Sequence, residues 1–253
     1  YPLRRQRQMC IRDRTYVNSI DLGGSIPTKI IEWKLPQQLR WVRDMQDNFQ
    51  RKGKVVDAEI RMAMAARMMR PEAIHRHLNE EQQRFVEQCS EMKKTHLASS
   101  RRSVRRSAGH REWLEVKSDD PIVKVYHRRG REVVPTRLAE VVLDCSAEEA
   151  VVYCFNRCSR EMMQRYEERG TLAIPVVEER AENDTVSAEI HTLPFPHAKR
   201  AFVNRRVLAW GNECGSWLMV AAPVLHKVNY GQKVTAIRAS LSLLVEIQRV
   251  GER

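Results

Sequence analysis

Apolar positions along this chain follow two rhythms. In the first hundred residues they recur every three or four places, and from Trp113 onward they tend to alternate. Thr15 to Ile20 is rich in β-branched and aromatic residues and predicts a strand. Gly23-Gly24 breaks it. Pro27 then stands where a first helical residue belongs, since its missing N–H is no loss there. Ile30, Ile31, Trp33, Leu35, Leu39, Val42, Met45 and Phe49 keep helical spacing, with a kink allowed at Pro36. Asp57 to Arg70 predicts a second helix, with Ile60, Met64 and Met68 on one stripe and Pro71 as its stop. Ile74, Leu78, Phe85, Cys89 and Met92 mark a third, from about Glu72 to Leu97. These two are expected to form an antiparallel hairpin. Ser99 to Gly109, rich in Arg and Ser without apolar periodicity, predicts an exposed linker.

Beyond Trp113 the elements shorten. Ile122 to Tyr126 and Arg137 to Leu143 predict two strands. Ala147 to Phe155 predicts a helix, because Ser146 with Glu149 three later is a capping box. A second short helix is expected from Arg160 to Arg169, ending at Gly170. Strands follow at Ala173–Arg180, Thr185–Leu193, Ala201–Trp210, Trp217–Val224 and Val234–Gln248, with Asn183-Asp184 and Asn212-Glu213-Cys214-Gly215 as turns. Consecutive hairpins mean an antiparallel sheet, so the fold class is α+β.

The net charge of +12 suggests nucleic acid until it is located. Residues 1–14 carry Arg4, Arg5, Arg7, Arg12 and Arg14 against Asp13. Residues 93–117 carry Lys93, Lys94, Arg101, Arg102, Arg105, Arg106, Arg111 and Lys117 against Glu112 and Glu115. These two stretches hold almost all of the excess, so no basic domain face and no nucleic-acid partner are implied. Residues 1–14 have no periodicity and are set aside as an artefact or a disordered tail. No run of about 18 apolar residues exists to span a membrane. None of the six cysteines forms the two-residue-spaced pair typical of zinc sites. Cys154 and Cys158, four apart, read as two small buried residues. A reducing cytoplasm fits this cysteine usage.

Two stretches together resemble one family. Asp21 with Gly23-Gly24-x-Ile26-Pro27 is the first, and Leu193-Pro194-Phe195-Pro196 running on to Arg200, Phe202 and Val203 is the second. Both resemble START lipid-transfer domains, most closely the phosphatidylcholine-transfer branch. The family usually has an acid where Ala201 stands, which leaves Arg200 without a neighbouring carboxylate. The resemblance implies a helix-grip fold: a curved antiparallel sheet around a long C-terminal-type helix, with a lipid tunnel between. In the family the first stretch closes the domain and the second lies in its middle, so their order here is inverted. The expected organisation is a piece of a tandem array. Residues 15–56 supply the closing strand and lid helix of a preceding START domain. Residues 57–112 form a helical hairpin and basic linker, and residues 113–253 a START domain lacking its last strand and helix. The strand Thr15–Ile20 is expected to complete the second domain's sheet near Ser240–Gln248.

The resemblance also implies a function, carriage of one phospholipid or sterol in an apolar tunnel, with no enzymatic activity and no cofactor. Alternation puts Phe202, Asn204 and Arg206 on one strand face. In the family the position of Arg206 can point into the tunnel. A buried arginine needs a partner, and Glu189 on the preceding strand is the candidate nearest in sequence, against the plainer readings of Arg206 as a solvated arginine beside Arg205 and Glu189 as an exposed strand acid. Gly23 and Gly24, with Pro27, would hinge the lid. The basic linker offers transient attraction to an anionic membrane surface, against the plainer reading of a solvated spacer. Two alternatives stand beside carriage: a START-derived scaffold that binds nothing, and an enzyme of the cyclase or aromatase type. No carboxylate or histidine pair at useful spacing supports the enzyme.

Overall fold

The computed structural model describes residues 14–21, 58–68, 77–101, 113–116, 123–128, 136–143, 145–194, 196–211 and 216–248. One sheet organises them. Its strands are β1 (Arg14–Asp21), β2 (Trp113–Val116), β3 (Lys124–Arg128), β4 (Thr136–Glu140), β5 (Leu172–Ala181), β6 (Asp184–His191), β7 (Arg200–Gly211), β8 (Ser216–Pro223) and β9 (Ile237–Ile247). They lie in the order β2-β3-β4-β1-β9-β8-β7-β6-β5. Neighbours run antiparallel. The exception is a short parallel pairing, Arg200↔Ile237 to Phe202↔Ala239, which joins β7 to β9 beyond the end of β8. Four helices complete the described residues: α1 (Ala58–Met68), α2 (Glu80–Arg101), α3 (Ala147–Phe155) and α4 (Arg160–Glu168). The α+β class expected from the alternating and helical rhythms is the class observed.

β1 is an interior strand. It pairs with β9 from Arg14↔Ile247 to Asp21↔Ser240, and with β4 from Thr15↔Glu140 to Ser19↔Thr136. A strand so placed has both edges hydrogen-bonded, as a buried backbone requires. This is the position beside the last strand that the N-terminal segment was expected to take. Gly23, Gly24, Pro27 and the helix expected after them lie outside the described residues.

Strand alternation sorts the two faces of the sheet. Leu208, Trp217, Met219, Leu243, Val245 and Ile247 share one core with Val151 and Cys154 of α3 and with Met162 and Tyr166 of α4. Val207, Ala209, Val220 and Leu244 form a second core with Val86 and Cys89 of α2. The helices therefore cover opposite faces. α1 packs chiefly against α3 and α2 against β7, β8 and β9, so the main contacts of these two helices are with other elements.

Local chemistry sets the helix starts. α2 begins at Glu80, not near Glu72, because Asn79 caps it. The Asn79 side-chain oxygen accepts from the Gln82 N–H at 2.8 Å, and the Gln82 side chain accepts from the Asn79 N–H at 3.2 Å. The same helix runs on to Arg101, into the stretch expected to be linker. The Ser146–Glu149 capping box of α3 is present in both directions. Replacing Ser146 with alanine should cost about 1 kcal/mol, measured as a shift of the urea midpoint without a change of slope. Cys154 is buried, but Cys158 lies past the end of α3 and is exposed, which corrects the expectation of two buried thiols.

Candidate functional site

The polar residues singled out on β7 sit where alternation places them. Phe202, Asn204 and Arg206 are all buried. The ladder sets Phe202 opposite Glu189, Asn204 opposite Ser187, and Arg206 opposite Thr185. Arg206 is thus four residues along the strand from the point facing Glu189, roughly 13 Å at the usual rise. The arginine and glutamate side chains together bridge the difference, and Nη2 donates to Glu189 Oε1 at 3.1 Å. The arginine side chain is 2% exposed and that of the acid 12%. Glu189 is therefore a half-buried acid and not a freely solvated one.

Glu189 gathers more than Arg206. Arg157, in the turn between α3 and α4, donates to the same oxygen. Tyr166 of α4 places its hydroxyl 3.3 Å from it. His191 Nε2 lies 3.0 Å from Oε2 and sets its ring edge-on to Phe202, with centroids 5.3 Å apart. Arg157 also lies over the Tyr166 ring, 5.0 Å from its centroid. Burial alone would push the Glu189 carboxyl up. Arg157, the hydrogen bond with His191 and the charge of Arg206 outweigh it and hold the group well below the usual carboxylate range. The acid is ionised at neutral pH, and Arg157, Tyr166, His191 and Arg206 converge on it.

Two guanidinium groups then face one carboxylate, and donors are left over. Nε and Nη1 of Arg206 and the Ser187 hydroxyl are buried without hydrogen-bond partners among the described residues. Such groups each carry a desolvation penalty of about 1–3 kcal/mol unless something accepts from them. The Asn204 amide is used differently. With its nitrogen turned to donate, it reaches the Leu241 carbonyl at 3.2 Å and the Val203 carbonyl at 3.3 Å. It bridges β7 to β9 just where the Asn204↔Pro223 pair ends the β7–β8 ladder. Arg200, beside Ala201, donates to the Ala198 carbonyl at 2.6 Å.

A second polar cluster lies on the opposite face, and nothing in the sequence reading marked it. Asp184 was expected in a turn. It opens β6 instead, where its side chain is 2% exposed and accepts two hydrogen bonds from Arg205, at 3.0 and 2.6 Å. Arg205 also donates to Glu81 of α2 at 2.6 Å and lies over the Phe85 ring at 4.7 Å. Gln82 adds a 3.2 Å bond to Asn183. The hydrogen bonds to Asp184 raise the Arg205 pKa against the opposing effect of burial. This cluster fastens α2 to the sheet. Below it, burial pushes the Cys89 thiol up to about 11, so the group stays a protonated, unreactive core residue.

Among the described residues no group of three or more His, Cys, Asp or Glu is placed to hold a metal ion. No described helix is long and apolar enough to cross a membrane. No family model matches the chain, and no curated protein matches it. Among solved structures it is similar to the human StarD13 (DLC2) lipid transfer and protein localization domain. That likeness has 18% identity and a TM-score of 0.40, over 64% of this chain and 84% of that one. It is also similar to a STAR-related lipid transfer protein from Xanthomonas axonopodis, at 13% identity and a TM-score of 0.36, over 55% of this chain and 82% of that one. Likenesses of this size carry no argument about activity.

Proposed function

We propose that this protein carries a lipid, held with its polar end against Arg206 and Ser187. The observation that carries the reading is the set of unspent donors. A buried guanidinium that gives one N–H to Glu189 and has two further nitrogens, Nε and Nη1, without acceptors suits a ligand oxygen bearing negative charge, as in a phosphodiester. Glu189 cannot serve as that acceptor for all of them, because Arg157, Tyr166 and His191 already converge on it. An apolar tail would supply most of the affinity, at roughly 0.8 kcal/mol per buried methylene, and Arg206 the selectivity. A phosphate-bearing lipid suits these donors better than a sterol, whose single hydroxyl offers no charge.

The further parts of the reading come from sequence. Residues 15–56 act as closing strand and lid, Gly23-Gly24 as its hinge, and lipid is exchanged with an anionic membrane surface. Replacing Gly23 and Gly24 with valine should slow lipid exchange more than it weakens equilibrium binding. Equal losses in both would count against a hinge. One observation favours the scaffold alternative: the convergence on Glu189 ties α4 and the α3–α4 turn to the sheet, a structural use. Native mass spectrometry of protein purified from cells separates the two. A lipid adduct that disappears on replacing Arg206 with leucine supports carriage, and a bare chain mass supports the scaffold.

A further inference from the structure

The loop that joins β8 to β9 has no role in the cluster around Glu189. Its first half runs over the face carrying Val186, Ala188 and Val203, against which Val224, Val228 and Tyr230 pack. Burial alternates residue by residue: Val224, His226, Val228 and Tyr230 are half-buried, while Leu225, Lys227 and Asn229 are exposed. Extended backbone explains the rhythm. It also thrusts Leu225 outward, where its side chain is 100% exposed. A leucine wholly in water gains nothing from the fold.

Its surroundings are cationic. Lys227 and Lys233 lie in the same loop, and both are exposed. Arg238, also exposed, donates to the Val224 carbonyl, next to Leu225, and so ties the two ends of the loop together. The Ile237 N–H donates to the Lys199 carbonyl at 2.9 Å, which brings the loop between β6 and β7 and its exposed lysine alongside. Ile237 itself is 42% exposed. Residues 192–199 and 224–238 contain no Asp or Glu. The neighbouring acid is Glu178 of β5, whose carboxylate lies 3.5 Å from the inward-facing His226 and 3.4 Å from Arg180.

We infer that this surface, with Leu225 as its tip and Lys199, Lys227, Lys233 and Arg238 around it, docks the protein on an anionic membrane. A single protruding leucine needs a soft apolar medium, which the acyl region just below lipid headgroups supplies. A protein partner would need a pocket shaped for it. The four cations stay at headgroup level, where each near-surface charge contributes through the anionic surface potential. The inference deepens the carrier reading by locating where the carrier meets its donor membrane, and it rests on that reading for its purpose alone.

The test is co-sedimentation of the whole chain with phosphatidylcholine vesicles, with and without about one third phosphatidylserine, a fraction chosen to set a strongly negative surface. Affinity for the anionic vesicles should fall about tenfold for Leu225→Ala and about tenfold for the Lys227→Gln, Lys233→Gln pair. High salt should weaken binding, and neutral vesicles should bind poorly throughout. All these side chains are exposed, so the variants should keep the parent melting temperature. Affinity within twofold of the parent for both variants overturns the assignment. So does a loss confined to Arg105→Gln, Arg106→Gln, which would move the contact to the basic linker. Retained vesicle binding by Leu225→Ala, together with lysine-dependent binding to polyglutamate, would make the partner an acidic macromolecule and overturn it equally. Lipid adducts in the native mass spectrum are read separately. A protein that carries none yet needs Leu225 on vesicles overturns carriage and supports this docking surface.

Discussion

Replacing Glu189 with leucine should lower stability by about 3–5 kcal/mol, the usual result of removing one partner from a buried charge pair. The change leaves Arg157 and Arg206 facing each other with no carboxylate between them and orphans the Tyr166 hydroxyl and His191. Against a total of roughly 5–15 kcal/mol for a domain, the variant should be barely folded at 37 °C. Chemical denaturation at neutral pH measures it. A glutamine at the same position gives the pH dependence. The folded pKa of Glu189 lies below its unfolded value, so its contribution is complete above the unfolded value and is lost as pH falls through the folded one. The stability gap between the parent and Glu189→Gln should therefore be widest near neutrality and close well below pH 4.5. A gap that stayed constant until the parent itself unfolded in acid would mean the carboxylate charge is not what matters.

Replacing Asp184 with alanine should have an effect of similar size, again about 3–5 kcal/mol, but with a different signature. Arg205 would keep Glu81, whose side chain is 68% exposed, as its carboxylate partner beside the Phe85 ring, and the Gln82 amide nitrogen would keep Asn183. The loss therefore falls on the seam between α2 and the sheet. Hydrogen exchange should accelerate first in residues 80–91, and Cys89, normally sealed against Val207 and Leu244, should become reactive to thiol reagents. Unfolding in which α2 and β7 lose protection together would show instead that the helix is part of one cooperative unit with the sheet. A Asp184→Leu, Arg205→Met double variant, which removes both charges, should recover much of the loss, since an apolar replacement of a buried pair is often neutral.

Most strands of the sheet were legible from alternation, because a half-buried strand must repeat every two residues, although β2 had not been singled out. The strands from Leu172 to Ile247 fall within three residues of their sequence-read limits at each end. The start of α2 was not legible. Leu78 extends the apolar spacing of the helix, and only Asn79 with Gln82, a capping pair that spacing ignores, marks the true boundary. At the site, alternation offered Glu189 only as the acid nearest in sequence to Arg206, since it fixes a shared face but not the register that sets Glu189 opposite Phe202. Arg157, Tyr166 and His191 could not, since an arginine in a turn carries no periodic signal and their convergence depends on how α4 packs. Asp184 and Arg205 escaped for a related reason. Asn183-Asp184 has the composition of a turn, and Arg205 beside Arg206 has the look of a solvated pair, until α2 covers that face.

The place of β1 has a consequence for how the chain reaches its fold. The strand leaves the ribosome ahead of the other described strands, yet Tyr16 pairs with Val245, which is synthesised roughly 230 residues later. At about 5–20 residues per second, the wait is on the order of ten seconds or more. β4 is made earlier and can occupy one edge of β1, while the other edge stays open until β9 arrives. Contacts of this sequence separation also make the final closure slow. For that interval the nascent chain presents an unpaired strand edge, the kind of template on which chains join one another. Yield in cells should thus depend on chaperone capacity during synthesis, and slow translation late in the message should send more of the product into aggregates.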